Sequence, residues 1–112
     1  MKTKYKLLAL AATALAAAQA FAADTIKIGF ISSLSGPVAA LGIPYEKGIR
    51  AAIAEKPTIA GRKVELIVLD DASDPTTAGR NARKLVVDDK VDVLIGTSGV
   101  PGAMAIAAVA KE

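Results

Sequence analysis

Three short apolar segments alternating with three helical ones constrain the fold of this chain more than anything else in it. Thr25 to Ser32 sets Ile26, Ile28 and Phe30 on one face of an extended strand and Ile31 on the other. Val64 to Leu69 sets Val64, Leu66 and Val68 against Ile67 and Leu69, and Val91 to Ile95 is a third such run. Strands apolar on both faces belong to parallel sheets covered by helices on each side. Leu41 to Glu55 places Leu41, Tyr45, Ile49, Ala52 and Ile53 at the spacing of one helix face. Pro44 lacks an N–H and its ring strikes the preceding turn, so the regular part of this helix is expected to start near Ile43. Asp74 is placed to cap a second helix, with Pro75 in its first turn. Ala78, Ala82, Leu85 and Val86 form that helix's expected buried stripe, while Arg80, Arg83 and Lys84 face water. The third helix, Gly102 to Lys111, is apolar all round and is expected to be buried. The order β-α-β-α-β-α predicts an α/β fold with a right-handed, doubly wound parallel sheet. An all-apolar last helix on three strands needs more protein on its outer side, which reads as part of a larger lobe.

The first 22 residues stand apart from this pattern. Lys2, Lys4 and Lys6 form a positive head, Leu7 to Ala18 is apolar, and Ala20-Phe21-Ala22 offers the small-x-small pattern of signal cleavage. The apolar run is shorter than the roughly 20 residues that span a bilayer core. Residues 1–22 are therefore read as a cleaved signal peptide and 23–112 as the exported part, not membrane-embedded after cleavage. Removing the three lysines leaves 11 basic residues against 11 acidic ones, so the exported part is formally neutral. Nothing in that balance points to nucleic acid or an anionic membrane as partner. Without cysteine the chain holds together by burial alone, and lipid attachment at the cleavage point is excluded. The expected location is the periplasm.

In open α/β sheets ligands bind beyond the carboxyl ends of the strands, where the strand order reverses. Three loops qualify: Ser32-Ser33-Leu34-Ser35-Gly36-Pro37, Asp70-Asp71-Ala72-Ser73, and Gly96-Thr97-Ser98-Gly99-Val100-Pro101-Gly102. The third leads into a helix N-terminus, whose free N–H groups and positive dipole end receive anions such as a carboxylate. An ordinary glycine turn between strand and helix is the plainer reading of the same residues. Serines in the first loop are placed either to reach the same crevice or simply to cap the next helix.

Enzyme templates fit poorly. A nucleophile elbow needs Gly where Val100 stands, and the chain has no histidine to act as base. The glycine spacing breaks the dinucleotide fingerprint, and no Gly-Lys-Ser/Thr ending marks a phosphate loop. Asp70 and Asp71 could form a magnesium or phospho-acceptor pair, although solvated turn residues are the simpler reading. No cofactor, transition metal or catalytic residue is expected.

Ile26-Lys27-Ile28-Gly29-Phe30, then Leu34-Ser35-Gly36-Pro37-Val38-Ala39 and Gly42, open a series of blocks along the chain. Gly48 and Ala52 continue it, followed by Gly61-Arg62-Lys63-Val64-Glu65-Leu66 and Asp70-Asp71-Ala72-Ser73-Asp74-Pro75. Leu85-Val86, Lys90-Val91-Asp92 and Ile95-Gly96 close it. In order and spacing these blocks resemble the branched-chain amino acid (leucine, isoleucine, valine) group of ABC-transporter substrate-binding proteins. The resemblance implies a type I periplasmic binding protein fold, of which this chain would be the N-terminal part of the first lobe. It implies reversible capture of an amino acid or small carboxylate between two lobes, with hand-over to a membrane permease. It also implies that Leu41 meets the ligand's apolar part and that Gly99 and Val100 meet its carboxylate. Val100 occupies a position where the family commonly has serine, so Thr97, Ser98 or the backbone would replace that hydroxyl. The expected ligand-binding residues are Ser35, Leu41, Thr97, Ser98, Gly99 and Val100. The alternatives are a ligand-sensing ectodomain, or a flavodoxin-like exported domain using Asp70 and Asp71 as an acidic metal site.

Overall fold

The computed structural model describes residues 25–112, and the export signal expected over residues 1–22 lies outside the described residues. β1 (Thr25–Ser32) leads to α1 (Ala39–Glu55), a short strand β2 (Thr58–Ile59) and β3 (Arg62–Asp70). α2 (Pro75–Arg83), widening into a π turn over Lys84–Asp88, then β4 (Val93–Ile95) and α3 (Val100–Val109) complete the order. The strands form one sheet in the order β2-β3-β1-β4. β1 pairs in parallel with β3 from Thr25↔Lys63 to Ser32↔Asp70, and with β4 from Ile28↔Val93 to Phe30↔Ile95. The chain thus leaves β1 to one side and returns to its other side, and the switch point lies between the carboxyl ends of β1 and β4.

The period of two along β1 divides the two layers. Ile31 faces Ala78, Ala82 and Leu85 of α2 and Ile106 and Val109 of α3, with Ile67, Leu69, Val91 and Leu94 packed around them. Phe30 and Ser32 face the other way, where the Ser32 hydroxyl donates to the Gly42 carbonyl of α1 at 3.1 Å. Helices therefore cover both faces, as the doubly apolar strands predict. Asp74 caps α2 through a 2.7 Å bond from the Thr77 amide, with Pro75 in the first turn. Arg80, Arg83 and Lys84 are exposed, in agreement with the sequence reading.

Several expectations are corrected. α1 starts at Ala39, not near Ile43, and Pro44 lies inside it. Pro44 removes only the bond to the Ala40 carbonyl, because the helix has already begun with the Leu41 and Gly42 amides both donating to Val38 O at 3.0 and 3.3 Å. The face of α1 turned to the sheet carries Gly42, Glu46, Ile49 and Ile53, while Leu41 and Tyr45 are 54% and 60% exposed and Ala52 faces solvent. Val86 also lies outside the buried stripe, because the π turn bonds the Asp89 amide to Lys84 O and shifts the helical phase just after Leu85. α3 is not buried all round: Gly102, Ile106 and Val109 face inward, whereas Met104 is 70% exposed. The strand expected over Val91 to Ile95 begins at Val93, and β2 is an additional two-residue strand too short for alternation to mark. β2 pairs antiparallel with β3 through Ile59↔Arg62, across a tight turn whose two central residues, Ala60 and Gly61, both have positive φ.

Gly42 shows how closely α1 meets the end of β1. A Cβ there would lie 2.0 Å from Ser33 O, a backbone atom that cannot swing aside. Gly48, on the same helix, has nothing within 4 Å of such a Cβ. Gly42→Ala is expected to cost about 3 kcal/mol by overpacking. Gly48→Ala is expected to stabilise by about 0.5–1 kcal/mol through lower backbone entropy in the unfolded chain. Urea unfolding of the two variants beside the parent checks both signs.

Candidate functional site

All three loops singled out from the sequence meet at the carboxyl ends of β3, β1 and β4. The register explains the meeting: Ser32 stands opposite Asp70, the Asp71 amide extends the ladder to Ser32 O at 3.0 Å, and Ile95 stands beside Phe30. Ser33, Asp71 and Thr97 therefore leave three neighbouring strands side by side.

Asp71, 1% exposed, is the node. Its Oδ1 accepts from the Ser33 hydroxyl at 2.7 Å and from the Ser73 amide at 2.8 Å. Its Oδ2 accepts from the Thr97 hydroxyl. Ser33 Oγ and Thr97 Oγ1 lie 3.4 Å apart, so the first and third loops are in direct contact. Asp70 points the other way, to the solvent side of the same junction. It accepts from the Leu34 and Ser35 amides at 2.9 and 3.2 Å, the Ser35 hydroxyl at 2.6 Å and the Ala72 amide at 2.8 Å. The Ser73 hydroxyl adds a bond to Ser35 O at 2.8 Å and accepts from the Val38 amide at 3.2 Å.

These bonds hold a turn that the backbone alone disfavours. Ala72 and Ser73 both have positive φ, at 52° and 61°, in a turn closed by the Asp74 amide on Asp71 O at 2.9 Å. For residues other than glycine that region costs roughly 1–2 kcal/mol each. The two aspartates offset it by accepting from the Ala72 and Ser73 amides. Gly36, at φ 79°, brings the first loop so close that a Cβ there would meet Ala72 O at 2.6 Å.

Above this junction lies a depression of about 180 Å³. Ser33 and Asp71 are at its base, Val38, Ser73 and Pro75 on one side, and Gly99, Pro101 and Gly102 of the α3 start on the other. No side chain caps α3 at Gly99. The first N–H groups of a helix have no partner within it. Pro101 has none to offer, which leaves those of Val100 and Gly102. Ser98 Oγ is buried without a hydrogen-bond partner.

The residues expected to touch a ligand divide into two groups. Thr97, Ser98, Gly99 and Val100 gather at the switch point, with the Val100 side chain 73% exposed and its backbone at the helix start. Ser35 is tied to Asp70 on the outer side, and Leu41 stands exposed on the first turn of α1. Ser33 and Asp71 carry the junction, where the sequence points to Ser35 and to a solvated turn at Asp71. Their common signal was position, each being the first residue past a strand. The simpler reading, of both aspartates as solvated turn residues bonding local N–H groups, holds for Asp70 and is corrected for Asp71. The oxygens of both carboxylates are already taken up as acceptors of hydrogen bonds from the chain.

Partial burial works to raise the Asp70 pKa, but the Ser35 hydroxyl and the Ala72, Leu34 and Ser35 amides outweigh it and hold it below the ordinary value. The Thr77 amide and hydroxyl likewise hold Asp74 low. A carboxyl depressed in the folded state stabilises the fold above its unfolded pKa of 3.8, and that contribution is lost as the pH falls through the lower folded value. Asp70→Asn is therefore expected to destabilise the chain at pH 6, with the gap to the parent narrowing at pH 3. Urea unfolding of both proteins at the two pH values checks this.

The sequence profile described as periplasmic binding protein matches residues 25–112. The leucine-specific-binding protein of Salmonella typhimurium is 39% identical over 77 residues, 66% of this chain and 21% of its own length. The crystal structure of a leucine binding protein, LivK, from Thermotoga maritima superposes with a TM-score of 0.74 at 36% identity, over 76% of this chain and 24% of that one. A solute binding protein of an ABC transporter from Rhodopseudomonas palustris BisB5, in complex with 3,4-dihydroxybenzoic acid, gives a TM-score of 0.74 at 39% identity, over 78% and 24%. The chain thus spans about a fifth of the length of the curated relatives it matches. Profile, sequence and fold agree: this chain belongs to the periplasmic binding protein family.

Proposed function

We propose that this chain forms part of the exported solute-binding component of an ABC transporter and supplies one wall of its ligand cleft. The reading rests above all on one observation: the uncapped start of α3 and the Ser33–Thr97 contact lie together at the topological switch point. Amide donors at a helix N-terminus favour a carboxylate. The Ser98 hydroxyl is buried without a partner in the same loop, outside the lining of the depression; left unpaired it costs about 1–3 kcal/mol, so a side-chain rotation that brings it to a carboxylate is favoured. Leucine and 3,4-dihydroxybenzoic acid, named with two relatives, share a carboxyl group and little else. The solute class is thus a branched-chain or related amino acid, or another small carboxylate. Val100 brings no hydroxyl to the position that the resemblance assigns to serine, so its N–H and Ser98 take over that contact. Leu41 and Ser35 lie further out and would meet the ligand's remote part.

The capture is reversible and breaks no bond. Two lobes close on such a ligand through contacts from both sides, and hand-over to a permease follows from the transport role. Residues 1–22 would direct export to the periplasm, with cleavage before Ala23. The mass of the protein purified from the periplasm is expected to correspond to a chain beginning at Ala23.

One wall gives only part of the contacts, so calorimetry on this chain with leucine is expected to show no micromolar binding. A chimera tests the site itself. Residues 25–112 replace the matching stretch of the Thermotoga maritima leucine binding protein, and calorimetry follows leucine and benzoate-type acids. Binding that falls about tenfold or more on Ser98→Ala supports the reading, because a donor to a charged group is worth about 1.5–3 kcal/mol. A chimera with native circular dichroism that binds neither class of acid refutes it.

A further inference from the structure

We infer that Asp71 is the positioning residue of this wall and that, by fixing the protons of Ser33 and Thr97, it selects acids that carry a hydrogen-bond donor beside the carboxyl group. The inference rests on the cleft reading above and deepens it. A carboxylate only accepts, and a hydroxyl has a single proton to give. The Ser33 and Thr97 hydroxyls both spend theirs on Asp71, one on each oxygen. With 3.4 Å between the two hydroxyl oxygens, neither proton is left to lie between them. What Ser33 and Thr97 offer to a guest is therefore lone pairs alone.

The wall is polarised as a result. Its α3 end, lined by Gly99 and Gly102, donates through the Val100 and Gly102 amides, and its Ser33 end, with the Thr97 hydroxyl 3.4 Å behind in the same junction, accepts. Asp71 also carries its charge close to the donating end, since a Cβ on Gly102 would lie 3.5 Å from Asp71 Oδ2. A ligand carboxylate placed there faces that charge unless the ligand brings a donor of its own. An ammonium or hydroxyl group beside the carboxyl meets both demands. A plain carboxylic acid sets lone pairs against lone pairs.

The test uses the full chain, isotope-labelled, in two NMR measurements. In the first, the Ser33 and Thr97 hydroxyl protons are expected to exchange slowly enough to be seen in the cold. In Asp71→Asn the amide offers one acceptor and one donor, so one hydroxyl must turn outward and its resonance is expected to vanish. Cross-peaks between Ser33 and Thr97 side chains should persist in that variant and show that the loops stay together. In the second, leucine, 2-hydroxy-4-methylpentanoate and 4-methylpentanoate are titrated into the millimolar range and read at the Val100 and Gly102 amides. The first two are expected to act about tenfold more strongly than the third, the scale of one unpaired polar group. Asp71→Asn should erase most of that preference, whereas a merely structural role would weaken all three acids alike. Should Asp71→Asn fail to fold, Thr97→Val keeps the carboxylate, removes one lone-pair donor and should lower the same preference. Fast exchange of both hydroxyl protons, or equal responses to the three acids, overturns the inference while leaving the cleft reading intact. No response at Val100 or Gly102 to any acid overturns the cleft reading and the inference with it.

Discussion

The carboxyl end of this sheet depends on one buried carboxylate. Taking Asp71 out of water is unfavourable unless its oxygens are matched by donors. Here the donors come from three loops: Ser33 after β1, Ser73 after β3 and Thr97 after β4. Each loop is thereby held at a fixed distance from the other two. The parallel ladder brings the strand ends into line, but it does not dictate the path of the chain beyond them. Asp71 supplies that constraint, and a strained turn at Ala72 and Ser73 is sustained by it.

Asp70 does complementary work at lower cost. It stays near solvent and gathers amides of the first and second loops, so it shapes the outer rim while its donors outweigh the penalty of partial burial. Two consecutive aspartates thus tie the same loops on opposite sides of the strand end, one wet and one dry. Gly42 completes the arrangement by letting α1 rest on Ser33 O, the backbone of the residue whose hydroxyl reaches Asp71. Fold and site share atoms here: the contact that seats α1 also backs the wall of the depression.

The two helix layers are used unequally. α2 and α3 close over Ile31, and a Cβ on Gly79 would lie 3.7 Å from Ala105 Cβ, so the two helices leave room there for little more than a methyl group. α1 lays only Gly42, Glu46, Ile49 and Ile53 toward the sheet. Leu41, Ile43 and Tyr45 on α1, and Val100 and Met104 on α3, remain exposed apolar groups near the start of their helices. Both helices start at the carboxyl edge of the sheet, so these groups lie at the same end of the molecule as the depression, whose own apolar lining is Val38, Pro75 and Pro101.

Much of this was legible in the sequence because it is local. Alternation of period two marks a strand wherever it ends up, and Asp74 followed by Pro75 caps a helix with its own next turn. The β-α order then fixed at which end of the sheet the loops would gather. What could not be read was which of two neighbouring residues turns inward. Asp70 and Asp71 are equivalent in composition, and side chains along an extended chain alternate between opposite sides; Ser33 and Ser35, two residues apart, part because the chain leaves its extended path and bends at Ser35. Only the parallel register, Ser32 against Asp70 and Phe30 against Ile95, decided that Ser33, Asp71 and Thr97 share the interior. The same held for α1, where periodicity gave a helix but docking on Ser33 chose the Gly42 face over that of Leu41 and Tyr45. Element type and loop location are written in neighbouring residues; facing arises from tertiary docking and register, and proton direction from junction bonds between residues 26 to 64 positions apart.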